Sequence, residues 1–144
     1  MRVGDELWVY YTGFQAGHAK VLVKESHRVG KIGRAVLRLD GFVSARGGRQ
    51  AATLTTKPVR VSGRRLLLNY DAGATGVVRA ELRDEANRPI PGFSLDECQP
   101  LSGSQVHGVV AWRKSDDVSA LATKPLRVHL VIRDADVYAF EFRK

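Results

Sequence analysis

Apolar residues recur along the chain in short runs or in alternation with polar residues, and Gly, Pro, Asp or Asn bound most of these runs. No window sustains the i, i+3, i+4, i+7 stripe of an amphipathic helix, so the pattern predicts β-strands. We expect strands at about residues 5–12, 34–45, 51–56, 58–62, 65–71, 76–83, 105–113, 125–133 and 137–143. Many short strands separated by turn residues indicate an all-β, antiparallel sandwich or barrel.

Two of these runs show which residues should face the core. In RLLLNY (residues 65–70) and VVRAEL (residues 77–82), alternate positions are apolar. Alternate residues of a strand point to the same face, so each run predicts one buried face. The intervening Asp71 and Gly73 are turn residues and predict a break between two strands.

Composition and charge narrow the function classes. The chain has 144 residues, of which 44% are hydrophobic and 26% charged, as in one ordinary globular domain. Its formal charge is +8, and residues 1–50 carry most of the excess, with nine basic and four acidic groups. A basic chain can bind polyanions by counterion release, although Arg alternating with apolar residues is also typical of a solvated sheet face. No apolar run approaches the ~18–20 residues of a membrane span, so no membrane partner is expected.

No catalytic set is visible in the sequence. The one cysteine, Cys98, lies nine residues from His107 with nothing that fixes their geometry, and the four histidines show no metal-ligand spacing. Asp134 and Asp136 can offer oxygens to calcium, but a turn between two strands explains them equally well. We therefore predict no enzyme activity and no cofactor, with calcium at these aspartates as the alternative.

Several stretches together resemble a known family. GDELWVYYTGF at residues 4–14 is similar to the closing strand of the five-bladed propeller in proteins of the glycoside hydrolase family 32 and 43 type. In those proteins a linker and a C-terminal β-sandwich follow that strand. The resemblance to this sandwich lies in residues 33–44, 53–58, 89–94 and 133–140.

The resemblance implies a domain organisation and a role. Residues 1–14 would be a strand left over from a propeller blade, residues 15–32 a linker, and residues 33–144 a jelly-roll-like β-sandwich. The catalytic acids of the family lie in the propeller, upstream of the resembling part, and the Glu97–Cys98 pair stands in the sandwich without the companion motifs. The expected function is a non-catalytic accessory sandwich that packs on a glycosidase-like propeller and binds carbohydrate. Relatives are often exported, whereas MRVGDELWVYYTG lacks the pattern of a signal peptide.

Candidate binding residues come from the chemistry of the two possible ligands, a sugar or a polyanion, and the aromatic candidates are those that the alternating core patterns explain least. Aromatic rings stack on sugars and Arg reaches hydroxyls, so the carbohydrate candidates are Trp112, Trp8, Tyr70 and Arg113, with burial of Trp112 in the core as the alternative. The alternative function, a polyanion-binding module for nucleic acid or sulfated polysaccharide, would use Lys20, Lys24, Arg28, Lys31 and Arg34. Nucleic acid is the less favoured polyanion, because no recognition helix or RNA-binding aromatic motif occurs. An apolar strand at residues 5–12 with a free edge also predicts a homodimer.

Overall fold

The computed structural model describes residues 1–14 and 30–144, which divide into two compact units, Met1–Gly41 and Phe42–Lys144. The first unit contains β1 (Arg2–Val3), β2 (Glu6–Phe14) and β3 (Gly30–Arg38). The second contains β4 (Ala45–Gly47), β5 (Ala52–Thr55), β6 (Arg65–Arg83), β7 (Leu101–Val109), a 3₁₀ turn (Ser119–Leu121), β8 (Arg127–Arg133) and β9 (Ala135–Arg143). All strand pairs are antiparallel, which confirms the predicted all-β, sandwich-like fold class.

The first unit is a three-stranded sheet in the order β1-β2-β3. β2 pairs with β3 over its whole length, from Glu6 opposite Arg38 to Phe14 opposite Gly30. β1 covers only the beginning of the other edge of β2, where Met1 and Trp8 exchange two backbone hydrogen bonds of 2.8 and 2.9 Å. Beyond Trp8, no strand in the described residues pairs with this edge of β2.

The division between the units differs from the boundary expected from the sequence. Residues 33–38 were expected to begin the sandwich, but they belong to β3, whose ladder with β2 places them in the first unit. The chain leaves this sheet at Asp40, which has a positive φ of 54°, and the second unit begins at Phe42. Of the expected linker at 15–32, residues 30–32 are strand and residues 15–29 lie outside the described residues.

The second unit is organised around β6, which has 19 residues. The first part of β6 pairs with β9 and the second part with β8, in the order β4-β9-β6-β8-β5, and β7 joins the opposite edge. Only Asp134, with φ of 46°, separates β8 from β9. β8 and β9 therefore follow β6 as one interrupted strand, and their register with β6 changes between the pairs Asp71–Asp136 and Val77–Arg133.

The predicted break at residues 71–73 is wrong. Asp71 and Gly73 lie within β6, at register shifts of its ladder with β7. Gly73 has φ of 53°, and its backbone N–H donates to the Asp71 carboxylate at 3.1 Å. These turn residues form an irregularity inside a strand, which increases local twist and bending instead of ending the strand.

The core lies on the faces that the alternation predicts. Along β6, Leu66, Leu68, Val78, Ala80 and Leu82 are completely buried. Val128, Leu130 and Ile132 of β8 are at most 1% exposed, so the two strands contribute one continuous apolar surface. The second unit therefore has a core of its own. Each large side chain buried in this way contributes about 1.5–3 kcal/mol to the free energy of unfolding.

Candidate functional site

Two of the predicted carbohydrate residues, Trp112 and Tyr70, belong to the core. Each is only 1% exposed. The Trp112 ring packs edge-on against Phe93, with 5.1 Å between the ring centroids, and the Tyr70 hydroxyl donates to the Ser102 carbonyl at 3.1 Å. Neither ring face is available to a sugar. The expectation that Trp112 and Tyr70 bind carbohydrate is therefore wrong, and the alternative, that Trp112 is a core residue, is correct.

Trp112 also completes the hydrogen bonding of an edge of β6. Its Nε1 donates to the Ala80 carbonyl at 3.1 Å, and the Ala80 N–H donates to the Sγ of Cys98 at 3.3 Å. Both backbone groups of Ala80 are buried, where an unpaired group would be costly. Burial raises the pKa of the Cys98 thiol, so this cysteine is a packed structural residue and not an activated nucleophile.

Glu97, the neighbour of this cysteine, has a local structural role. Its carboxylate accepts hydrogen bonds from the Ser94 hydroxyl at 2.9 Å and the Ser94 N–H at 3.4 Å. The bond from the hydroxyl is the main cause of the lowered pKa of Glu97. The carboxylate thus fixes the turn that leads to Cys98.

The other two carbohydrate candidates lie near the surface. Trp8 is half-buried in β2, its Nε1 donates to Glu6 at 2.7 Å, and the Arg34 guanidinium carbon lies 4.0 Å from its ring centroid. A cation already covers one face of this ring. Arg113 is exposed beside Trp112, and its N–H donates to the Glu97 carbonyl at 2.9 Å. Trp8 belongs to the first unit and Arg113 to the second.

The predicted polyanion residues do not form one described surface. Lys20, Lys24 and Arg28 lie outside the described residues. Lys31 is paired with Gly13 and Arg34 with Tyr10, at positions of odd separation along β3. Residues at odd separation point to opposite faces of a sheet, so the two described cations lie on different faces.

Of the two aspartates proposed as calcium ligands, Asp136 is hydrogen-bonded to other side chains and Asp134 lies in a tight connection between strands. The Asp136 carboxylate accepts hydrogen bonds from Arg46 at 2.9–3.2 Å and from the Ser44 hydroxyl at 2.7 Å. The bond from Arg46 is the main reason why the pKa of Asp136 is lowered. Asp134 occupies the tight connection between β8 and β9, as the turn interpretation expects. Residues 1–14 and 30–144 contain no group of three or more potential metal ligands.

A buried polar group on the outer face of β6 and β8 was missed from the sequence. Glu81 and His129 are paired across the strands and are 4% and 7% exposed. Glu81 accepts from Arg83 Nε at 2.6 Å and from the Leu95 N–H at 3.0 Å, and His129 Nδ1 is hydrogen-bonded to the Thr55 hydroxyl at 2.7 Å. Burial, followed by repulsion from Arg83, lowers the pKa of His129. In the sequence, Glu81 and Arg83 lie on the same face of an alternating run, and this pair of opposite charges could have indicated the buried polar group.

The exposed apolar surface lies mostly in the first unit. The side chains of Tyr10, Tyr11, Phe14 and Ile32 are 56%, 57%, 67% and 80% exposed. Tyr10, Phe14 and Ile32 share one face by register, whereas Tyr11 lies on the other face over Gly33, where a Cβ atom would overlap its ring. Both faces of this sheet therefore present aromatic side chains.

A groove crosses the end of the second unit at which β6 ends and β8 begins. Its walls are the turn at residues 84–88 and the segment 120–126. Asn87, with φ of 64°, shapes the turn, and the Asp84 carboxylate holds it by accepting from Arg88 N–H and Nε at 2.9 Å each. The backbone hydrogen bond from Arg88 is the main cause of the lowered pKa of Asp84. This wall of the groove is thus preformed.

No known protein family, curated protein or solved structure matches this chain. Among the described residues, no helix has the length and apolar character that crossing a bilayer would require.

Proposed function

We propose that the chain is a non-catalytic accessory β-sandwich of a glycosidase-like protein of the family 32 and 43 type. The second unit is the sandwich, and the sheet of the first unit packs on the propeller and contributes strands to it. The observation that carries this proposal is the exposure of aromatic side chains on both faces of the first sheet.

Such a sheet needs neighbours on both sides. Three antiparallel strands are stable only when a hydrophobic face is packed, and here Tyr10 and Ile32 on one face and Tyr11 on the other are more than half exposed. In a β-propeller, four-stranded antiparallel blades stand around a central channel, so each blade has a neighbour on either face. The order β1-β2-β3 fits three strands of such a blade, and so does the edge of β2 beyond Trp8, which pairs with no strand in residues 1–14 and 30–144.

The test measures association with a propeller. A five-bladed propeller domain of this family type, purified without its own sandwich, is titrated into the chain and followed by calorimetry and light scattering. We expect binding, and we expect binding of a hydrophobic dye to the chain alone to fall when the propeller is added. The double variant Tyr10→Lys/Ile32→Lys should lose both signals, whereas Thr53→Lys, an exposed strand position of the second unit, should retain them.

Two results would contradict the proposal. One is a chain that binds neither propeller nor dye more strongly than the double variant does. The other is a concentration-dependent dimer that the double variant abolishes, because a second copy of the chain would then cover the sheet.

A further inference from the structure

The groove between the turn at residues 84–88 and the segment 120–126 has a volume of about 380 Å³, within the range of small-molecule sites. Its lining is amphipathic. Leu121, Pro125 and the buried Leu126 supply apolar surface, while Glu85, Thr123 and Lys124 supply exposed polar groups from both walls.

We propose that this groove binds a neutral saccharide. A sugar ring has apolar C–H faces and hydroxyls that both donate and accept, so it needs apolar surface bordered by donors and acceptors. Leu121 and Pro125 offer the apolar surface, the Lys124 ammonium donates, the Glu85 carboxylate accepts, and the Thr123 hydroxyl does both. The proposal rests on the proposed function, because an accessory sandwich of a glycosidase-like protein is expected to bind carbohydrate.

The charges of the groove favour a neutral ligand over an anionic one. Asp84 and Arg88 neutralise each other through an ion pair of 2.8 Å, and Lys124 is balanced by Glu85 on the opposite wall. A polyanion would meet as many carboxylates as cations there. The Asp84–Arg88 pair also keeps the turn in place before a ligand arrives, which lowers the ordering cost of binding.

The experiment is a titration of the isotope-labelled chain with neutral di- to tetrasaccharides of glucose, galactose, mannose, xylose and arabinose at millimolar concentration, observed by NMR. We expect saturable amide shifts confined to residues 84–90 and 120–126 for at least one sugar. Raising the salt concentration should leave the dissociation constant within twofold, since no net charge is neutralised.

Matched variants locate the site. Ala120→Trp places a large ring in the groove and should weaken binding at least tenfold, whereas Ala74→Trp, at an exposed position of β6 outside the groove, should leave it unchanged. Lys124→Gln should weaken binding about fivefold, because it replaces a charged hydrogen-bond donor with a weaker neutral one, and Lys114→Gln should not.

Three outcomes would overturn the proposal: no shifts with any neutral sugar, shifts elsewhere that Ala120→Trp does not affect, or binding only of sulfated oligosaccharides that salt abolishes. These outcomes concern the second unit alone. Failure of the propeller titration, which depends on Tyr10 and Ile32 in the first unit, would be observed separately.

Discussion

Replacing Trp112 distinguishes a core residue from a ligand-binding one. The ring is 1% exposed and packs against Phe93, and its Nε1 is hydrogen-bonded to the buried Ala80 carbonyl. Truncation to alanine removes a large buried side chain and leaves a cavity, which costs about 3–5 kcal/mol in the free energy of unfolding. Trp112→Phe keeps part of the packing but leaves the Ala80 carbonyl without its donor, for which we expect about 1–3 kcal/mol.

The assay is urea unfolding followed by far-UV circular dichroism. With an m-value of about 2 kcal/mol/M, the alanine variant should unfold at a midpoint ~1.5–2.5 M lower, and the phenylalanine variant at one ~0.5–1.5 M lower. Arg113→Ala, at the exposed neighbouring position, is the matched control and should change stability by less than about 0.5 kcal/mol. A Trp112→Ala variant as stable as this control would refute the role of the ring in the core.

Three further predictions concern the second unit. Burial lowers the pKa of His129, so the folded state favours the neutral ring, and the stability that this provides is lost as the pH falls below the unfolded-state pKa of ~6.5. Between about pH 7.5 and 5.5, the urea midpoint of the chain should therefore decline more steeply than that of His129→Gln. Equal slopes for the two proteins would contradict this prediction. Gly47→Ala should cost about 1–3 kcal/mol in thermal unfolding, because a Cβ there overlaps the backbone of β8, while Gly48→Ala, with open space around it, should cost less than half as much. Since Arg46 already occupies the Asp136 carboxylate, adding calcium should leave the melting temperature unchanged, and a calcium-dependent rise that Asp136→Asn removes would show a metal site instead.

Local patterns predicted most of the strands and the buried face of β6, but not the partners of those strands. The strand expected at 58–62 is wrong, because only an isolated bridge from Val59 to Leu126 forms there, and the strand expected at 105–113 is β7, which begins and ends four residues earlier. Alternation identified Leu66 and Leu68 as core residues because side-chain direction depends only on the strand itself. The same alternation in residues 34–38 could not reveal that β3 pairs with β2, since that choice depends on residues far away in the sequence. Asp71 and Gly73 are turn residues, but turn residues also occur at irregularities inside a strand, and here they lie at register shifts of the ladder between β6 and β7.

The binding candidates show the same limit. Trp112 precedes Arg113 and Lys114, and a charged neighbourhood favours an exposed position when only the sequence is considered. Its actual partners, Ala80 and Phe93, come from other parts of the chain, and they determine its burial. The groove was not predicted either, because its two walls are more than 30 residues apart and meet only through the pairing of β6 with β8.

The two units differ in the apolar surface that they expose, and this difference supports assigning them different roles. The exposed large apolar side chains of the second unit are Phe42, Val43 and Val109, and the unit has a buried core. In the second unit even an edge of β6 is closed, because side chains of Cys98 and Trp112 replace the missing strand at Ala80. In the first unit, by contrast, large aromatic side chains face outward on both sides of a thin sheet. A unit that satisfies its own backbone can act as a rigid scaffold, whereas a sheet with two apolar faces gains stability only by association. We therefore expect the first unit to attach the chain to the propeller and the second unit to determine which ligand is bound.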